Sequence, residues 1–151
     1  MIRKATVQDV PAIYQLLKRY ADRGELLARS LSDLYDAVRD FSVFKEKAGA
    51  PIIGICALHV CWEDLAEIRS LAVDERYQRR GIGSALVAEA LAEAPQLGIR
   101  RVFTLTYRPD FFDKHGFHVI DKSSLPHKVW AECVRCVKFP NCDETAMLRI
   151  L

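Results

Sequence analysis

Gly81 and Gly83 stand at the head of an apolar helical pattern, and the chemistry that suits them is capture of a phosphate. Neither carries a Cβ, so the backbone can approach an anion closely. The N–H groups that open a following helix point at such an anion with the positive end of the helix dipole. Arg76, Arg79 and Arg80 add positive charge at the same mouth, with Gln78 among them. A Gly-x-Gly pair by itself fits a plain tight turn. It is neither of two familiar phosphate loops, because no Gly-Lys-Ser/Thr follows and a third glycine is missing. Upstream, Glu67 lies in Glu67-Ile-Arg-Ser-Leu-Ala-Val73, the strand pattern that leads to this turn. On spacing alone it is as much an exposed carboxylate paired with Arg69 as a proton acceptor. His127, Cys133, Cys136 and Cys142 could together supply four zinc ligands. Only Cys133 and Cys136 form a close pair, so the expectation is reduced thiols in a loop and no metal.

These groups need a scaffold. Residues 2–6 read as a strand, and Thr6 with Asp9 resembles a capping box. Val10, Ile13, Tyr14 and Leu17 then recur at helical spacing as far as about Tyr20. Beyond Gly24, Leu31, Leu34, Tyr35 and Val38 repeat the pattern with Ser30 as N-cap. Residues 41–47 and 52–62 read as strands joined by Ala48-Gly-Ala-Pro51, and 65–73 as the next strand after the polar turn Glu63-Asp64. In the helix expected over 80–97, Glu89, Glu93 and Gln96 form a narrow polar stripe on an otherwise apolar surface, which places it against a sheet. Gly98 is the expected C-cap, 102–105 the next strand, and Pro109 the start of a short helix. At least two more strands follow Phe117, separated by a long polar, cysteine-bearing connection. The expectation is one α/β domain over residues 1–151 with a mixed sheet.

Composition narrows the function classes. A chain of 151 residues, half of them apolar, can bury one sizeable core. Its net charge of +2 is too small, and its basic residues too dispersed, for a nucleic-acid binder. No apolar run reaches membrane-spanning length and the N-terminus lacks an export signal, so a soluble cytoplasmic protein with reduced cysteines is expected. Cys56 reads as a buried strand residue, Cys61 as one without special role, and His59 and His115 as surface residues of a strand and a helix.

Gln78-x-x-Gly81-x-Gly83, preceded by Leu71-Ala-Val-Asp74, resembles the acetyl-CoA-binding signature of the GNAT superfamily of N-acyltransferases. Phe111-Phe-Asp-Lys-His-Gly-Phe117 is similar to the close of the same core. The resemblance implies the GNAT acyl-CoA N-acyltransferase fold and acetyl-CoA as co-substrate, held by Leu71, Val73, Gln78, Arg79, Arg80, Gly81, Ile82, Gly83 and Ser84. It also implies Glu67 as a general base acting through an ordered water. The backbone N–H of Leu71, where two parallel strands splay, would then polarise the thioester carbonyl. The tyrosine that many relatives use to protonate the coenzyme A sulfur corresponds to Phe112, which has no proton to give. Either Tyr107 or a water replaces it, or the thiolate leaves unassisted.

Within the superfamily, the phenylalanine before the closing Gly-Phe resembles the N-acetylglutamate synthase branch. Leu26-Leu-Ala-Arg-Ser30, the stretch from Glu67, Leu105-Thr-Tyr-Arg108 and Leu125-Pro126 with the nearby Lys128 are similar to its elements. The resemblance implies L-glutamate as acceptor, a place in arginine biosynthesis, and a short form without the kinase-like domain of longer members. Arg29, Arg108 and Lys128 would bind the dicarboxylate, with Arg69 and Arg135 in reserve. A homodimer is compatible with it. The alternatives are another amine (amino acid, polyamine or protein terminus) and a non-catalytic acetyl-CoA sensor.

Overall fold

The computed structural model describes residues 1–126 and 143–151. In chain order the elements are β1 (Ile2–Lys4), α1 (Val10–Ala21), α2 (Leu31–Asp36), β2 (Phe41–Phe44), β3 (Gly54–Trp62), β4 (Leu65–Val73), α3 (Ile82–Gln96), β5 (Arg101–Thr106), α4 (Pro109–Asp113), β6 (His118–Val119) and β7 (Thr145–Ile150). The strands form a seven-stranded sheet in the order β1-β2-β3-β4-β5-β7-β6. β4 and β5 pair in parallel, with α3 between them in the chain, and the other neighbours are antiparallel. This is the expected α/β fold with a mixed sheet.

Strand alternation supplies both faces of the sheet. Cys56, Leu58, Ala66 and Ile68 turn towards α3 and pack on Leu86, Val87, Ala90 and Ala94. The intervening Ile55 and Ala57 turn the other way, onto Val10, Ile13, Leu17 and Tyr20 of α1. Each buried Leu, Ile or Val among them contributes about 1.5–3 kcal/mol by leaving water. Gly54 fixes how closely α3 lies on the sheet: a Cβ there would stand 2.9 Å from Ile82 Cγ2 and 3.1 Å from Leu86 Cδ1.

The elements differ from the expected boundaries for local reasons. β1 stops at Lys4, because Thr6 gives its backbone N–H and its hydroxyl to Asp9 Oδ2 at 2.8 and 3.2 Å. The box is present as expected, but it opens a short 3-10 turn, Val7–Asp9, before α1. β2 ends at Phe44 and β3 begins at Gly54. Pro51 has no N–H to give a ladder, and Ile53 N–H reaches the Phe44 carbonyl only beyond it, at 3.0 Å. α3 begins at Ile82 rather than at 80, because Arg79 and Gly81 are left-handed, with φ of 65° and 79°. Gly98, also left-handed, follows its C-terminus. Among the described residues no helix is long and apolar enough to cross a membrane.

Candidate active site

β4 and β5 stay paired only at Ala66↔Val102 and Glu67↔Phe103, then part. Beyond the parting, Thr104 Oγ1 donates to the Ile68 carbonyl at 2.9 Å. On its other edge β4 bulges: Ile55 pairs with Ala72 and Ala57 with Arg69, so Cys56 alone stands opposite Ser70 and Leu71. Ser70 takes a left-handed φ of 56°, rare for a residue with a Cβ, and so re-aims the strand.

A cleft of about 1070 Å³ opens where the strands splay. Of the residues singled out from sequence, Arg29, Glu67, Leu71, Val73, Gln78, Arg79, Gly81, Ile82, Gly83, Ser84, Tyr107 and Arg108 all line it. Arg80 does not: its guanidinium lies over the Tyr77 ring at 5.1 Å. Arg76 does not either, because it is drawn to the buried Asp74. That carboxylate accepts from Arg76 Nε at 3.2 Å, Nη2 at 3.1 Å and the backbone N–H at 3.0 Å. These bonds, the Arg76 side chain foremost, hold the Asp74 carboxyl at about 2. The positive charge expected from three arginines at the mouth therefore comes from Arg79 alone of the three. Lys128, Arg135, His127, Cys133, Cys136 and Cys142 lie outside the described residues.

The turn read from sequence as a phosphate turn leaves room for an anion. Gly81, left-handed and with open space where a Cβ would sit, heads the fifteen-residue α3. A Cβ on Gly83 would touch the Phe111 ring at 3.5 Å. The turn is tied to α1 by Tyr20, which the sequence offered only as the last residue of an apolar face. Its hydroxyl donates to the Val73 carbonyl and accepts from Gln78 Nε2 at 2.8 Å.

Glu67 is not an exposed strand carboxylate. Its side chain is 12% accessible and lies 3.7 Å from Arg69 Nη1. His59, directly opposite it on β3, is no free surface residue, since its Nδ1 lies 2.7 Å from Asp40 Oδ2. His115 is likewise half-buried, with Nε2 3.1 Å from Ser84 Oγ. Tyr107 gives its phenolic proton to Asp143 Oδ1 at 2.7 Å, a partner that sequence spacing could not supply. Phe112 is a core residue, edge-on to Phe111 and Phe117 at 5.1 and 5.3 Å between ring centres.

A glycine-headed helix start beside a splayed, carboxylate-bearing strand pair is an arrangement that suits an acyl-CoA transferase. Residues 10–118 match the Acetyltransferase (GNAT) family. The chain belongs to that family and is an acetyltransferase with acetyl-CoA as co-substrate. It is 39% identical over 150 residues to an uncharacterized N-acetyltransferase of Chlorobaculum tepidum, covering 99% of this chain and 96% of that one. To the amino-acid acetyltransferase of Mycobacterium tuberculosis it is 41% identical over 136 residues, covering 89% and 78%. Among solved structures, N-acetylglutamate synthase of Neisseria gonorrhoeae, complexed with coenzyme A and N-acetyl-glutamate, superposes with a TM-score of 0.90 at 27% identity. The match covers 100% of this chain and 35% of that one, so the chain spans about a third of the longer protein's length.

Proposed function

We propose that this enzyme transfers acetyl from acetyl-CoA to the α-amino group of L-glutamate, the entry reaction of arginine biosynthesis. The observation that carries the reading is that Arg29 and Arg108, from remote parts of the chain, line the same cleft as Glu67 and the phosphate turn. Two carboxylates lose water on binding, and guanidinium groups offer them paired donors. The names of the mycobacterial and neisserial relatives support the same substrate class.

In this reading the start of α3, with Gly81, Gly83 and Ser84, holds the coenzyme A pyrophosphate, and the thioester lies in the gap between β4 and β5. The bulge turns the Leu71 N–H towards the thioester oxygen, where it stabilises the oxyanion. Glu67, through a water, takes a proton from the acceptor's ammonium group. The freed amine nitrogen attacks the carbonyl carbon, the nitrogen of the adduct gives up its second proton to solvent, and collapse of the adduct breaks the carbon–sulfur bond. The thiolate that leaves takes a proton from water, since Tyr107 already commits its own to Asp143. A thiol, with a pKa of about 8.5, leaves readily as the anion.

Thiol release measured over a panel of amines tests the acceptor. Glutamate should lead, aspartate should follow because it cannot span the same cations, and glutamine should trail because it leaves one unpaired. A lost charge-assisted contact of roughly 1.5–3 kcal/mol means about 10- to 150-fold in kcat/KM. Glu25, Asp143 and Glu144 also line the cleft and favour the second reading, a cationic acceptor such as lysine or a polyamine. If one of those outruns glutamate, the second reading replaces the first.

A further inference from the structure

His115 follows α4, and its ring lies behind the first turn of α3 without lining the cleft. Its Nε2 is 3.1 Å from the hydroxyl of Ser84, which does line it. The residue is held through both its ring and its backbone. The Phe111 ring packs against it at 5.0 Å between centres, and its own backbone N–H donates to the Phe112 carbonyl at 2.9 Å. From β7, Arg149 Nη1 donates to the His115 carbonyl at 2.5 Å. The same guanidinium closes over left-handed Gly116, where a Cβ would stand 3.2 Å from Nη1. Helix packing alone does not call for a polar ring fixed so firmly against one serine.

We infer that His115 is a positioning residue for the coenzyme A pyrophosphate, acting through Ser84. A neutral imidazole carries one N–H, and its location decides what the serine can do. With the proton on Nε2, His115 donates to Ser84 Oγ and leaves the hydroxyl hydrogen free to turn into the cleft, towards an anion. Burial, with a smaller contribution from the Arg149 charge, lowers the His115 pKa and so favours the neutral ring. Donation from the ring also polarises the hydroxyl, making it a stronger donor to phosphate oxygen. The pair thus adds an aimed side-chain donor to the backbone N–H groups of the helix start.

The inference rests on the phosphate turn being the pyrophosphate site, and a thermodynamic cycle tests the two separately. Ser84→Ala, His115→Phe and the double variant are assayed with acetyl-CoA and with S-acetyl-pantetheine, a donor without pyrophosphate. Phenylalanine preserves the ring packing on Phe111. Each single change should raise the KM for acetyl-CoA by about tenfold, the double change no further, and kcat/KM for S-acetyl-pantetheine should stay at the parent value. Additive losses, or equal losses with both donors, would overturn the inference. So would an unchanged KM in Ser84→Ala, a result that does not depend on how the His115 variant folds. Gly81→Asp supplies the control: if acetyl-CoA still binds, the site assignment itself is wrong. If Gly81→Asp abolishes binding while Ser84→Ala and His115→Phe leave the KM for acetyl-CoA unchanged, the assignment stands and the His115 role falls.

Discussion

Thr104 Oγ1 donates to the Ile68 carbonyl at 2.9 Å, one residue past the last paired position of β4 and β5, so a side chain continues what the ladder has stopped doing. Thr104 is buried, and the bond bridges the strands where the cleft begins. Thr104→Val keeps the shape and removes the hydroxyl, leaving that carbonyl without the bond. The expected loss is about 1–3 kcal/mol of stability, with kcat/KM falling as the gap loses its set width. Urea unfolding beside initial-rate kinetics measures both, and a variant as stable and active as the parent would show that the bond sets nothing.

Tyr20 joins α1 to both sides of the phosphate turn, through the Val73 carbonyl and Gln78 Nε2. Tyr20→Phe keeps the buried ring and frees both partners. Loosening one neutral hydrogen-bonded link is worth about 1 kcal/mol, so the KM for acetyl-CoA should rise about fivefold while the KM for the acceptor stays put. A rise in the acceptor KM instead would place Tyr20 with the other substrate.

Asp9 and Asp74 make the fold sensitive to acid. Arg3 donates to Asp9 at 2.7 and 2.9 Å and Arg76 grips Asp74, and each carboxyl titrates at about 2 instead of the usual 3.8. Between these values the unfolded chain binds more protons, so stability rises with pH through this window. The contribution is complete above about pH 4 and is lost as pH falls towards 2. Urea midpoints collected from pH 2 to 5 should show this slope, and Asp9→Asn or Asp74→Asn should flatten it. A midpoint that ignores pH in this range would mean that the two ion pairs do not survive in solution.

Much of this site was legible because its parts are local. The Gly81/Gly83 turn announces itself by residue type, since left-handed φ at a helix start suits glycine. The 65–73 strand, read from its apolar run, matches β4 residue for residue. What stayed hidden depends on contacts between residues distant in sequence. Arg76 is the exception: its partner Asp74 is only two residues away, and spacing alone does not say that this carboxylate will claim the guanidinium before a phosphate does. Tyr20 looks like the end of an apolar stripe until the sheet brings Val73 and Gln78 to its hydroxyl. His115 and Ser84, thirty-one residues apart, gain meaning only once α4 is seated beside the start of α3.

Glu67 sits with its side chain largely out of solvent, beside Arg69 and on the wall of the cleft, the place that the proposed mechanism gives to the base. Glu67→Gln keeps size and hydrogen bonding and removes the capacity to take a proton. With a general base contributing typically 10²–10⁴-fold, kcat near neutral pH should fall by about 10²-fold or more. The loss should shrink at high pH, because free amine then accumulates without help. With coenzyme A placed as proposed, at the other end of β4 and at the start of α3, acetyl-CoA affinity should hardly change. The measurement is a pair of pH–rate profiles with calorimetric binding of acetyl-CoA to both proteins. If the two profiles superimpose, Glu67 only orders Arg69 and the strand, and the proton leaves by another group in the cleft.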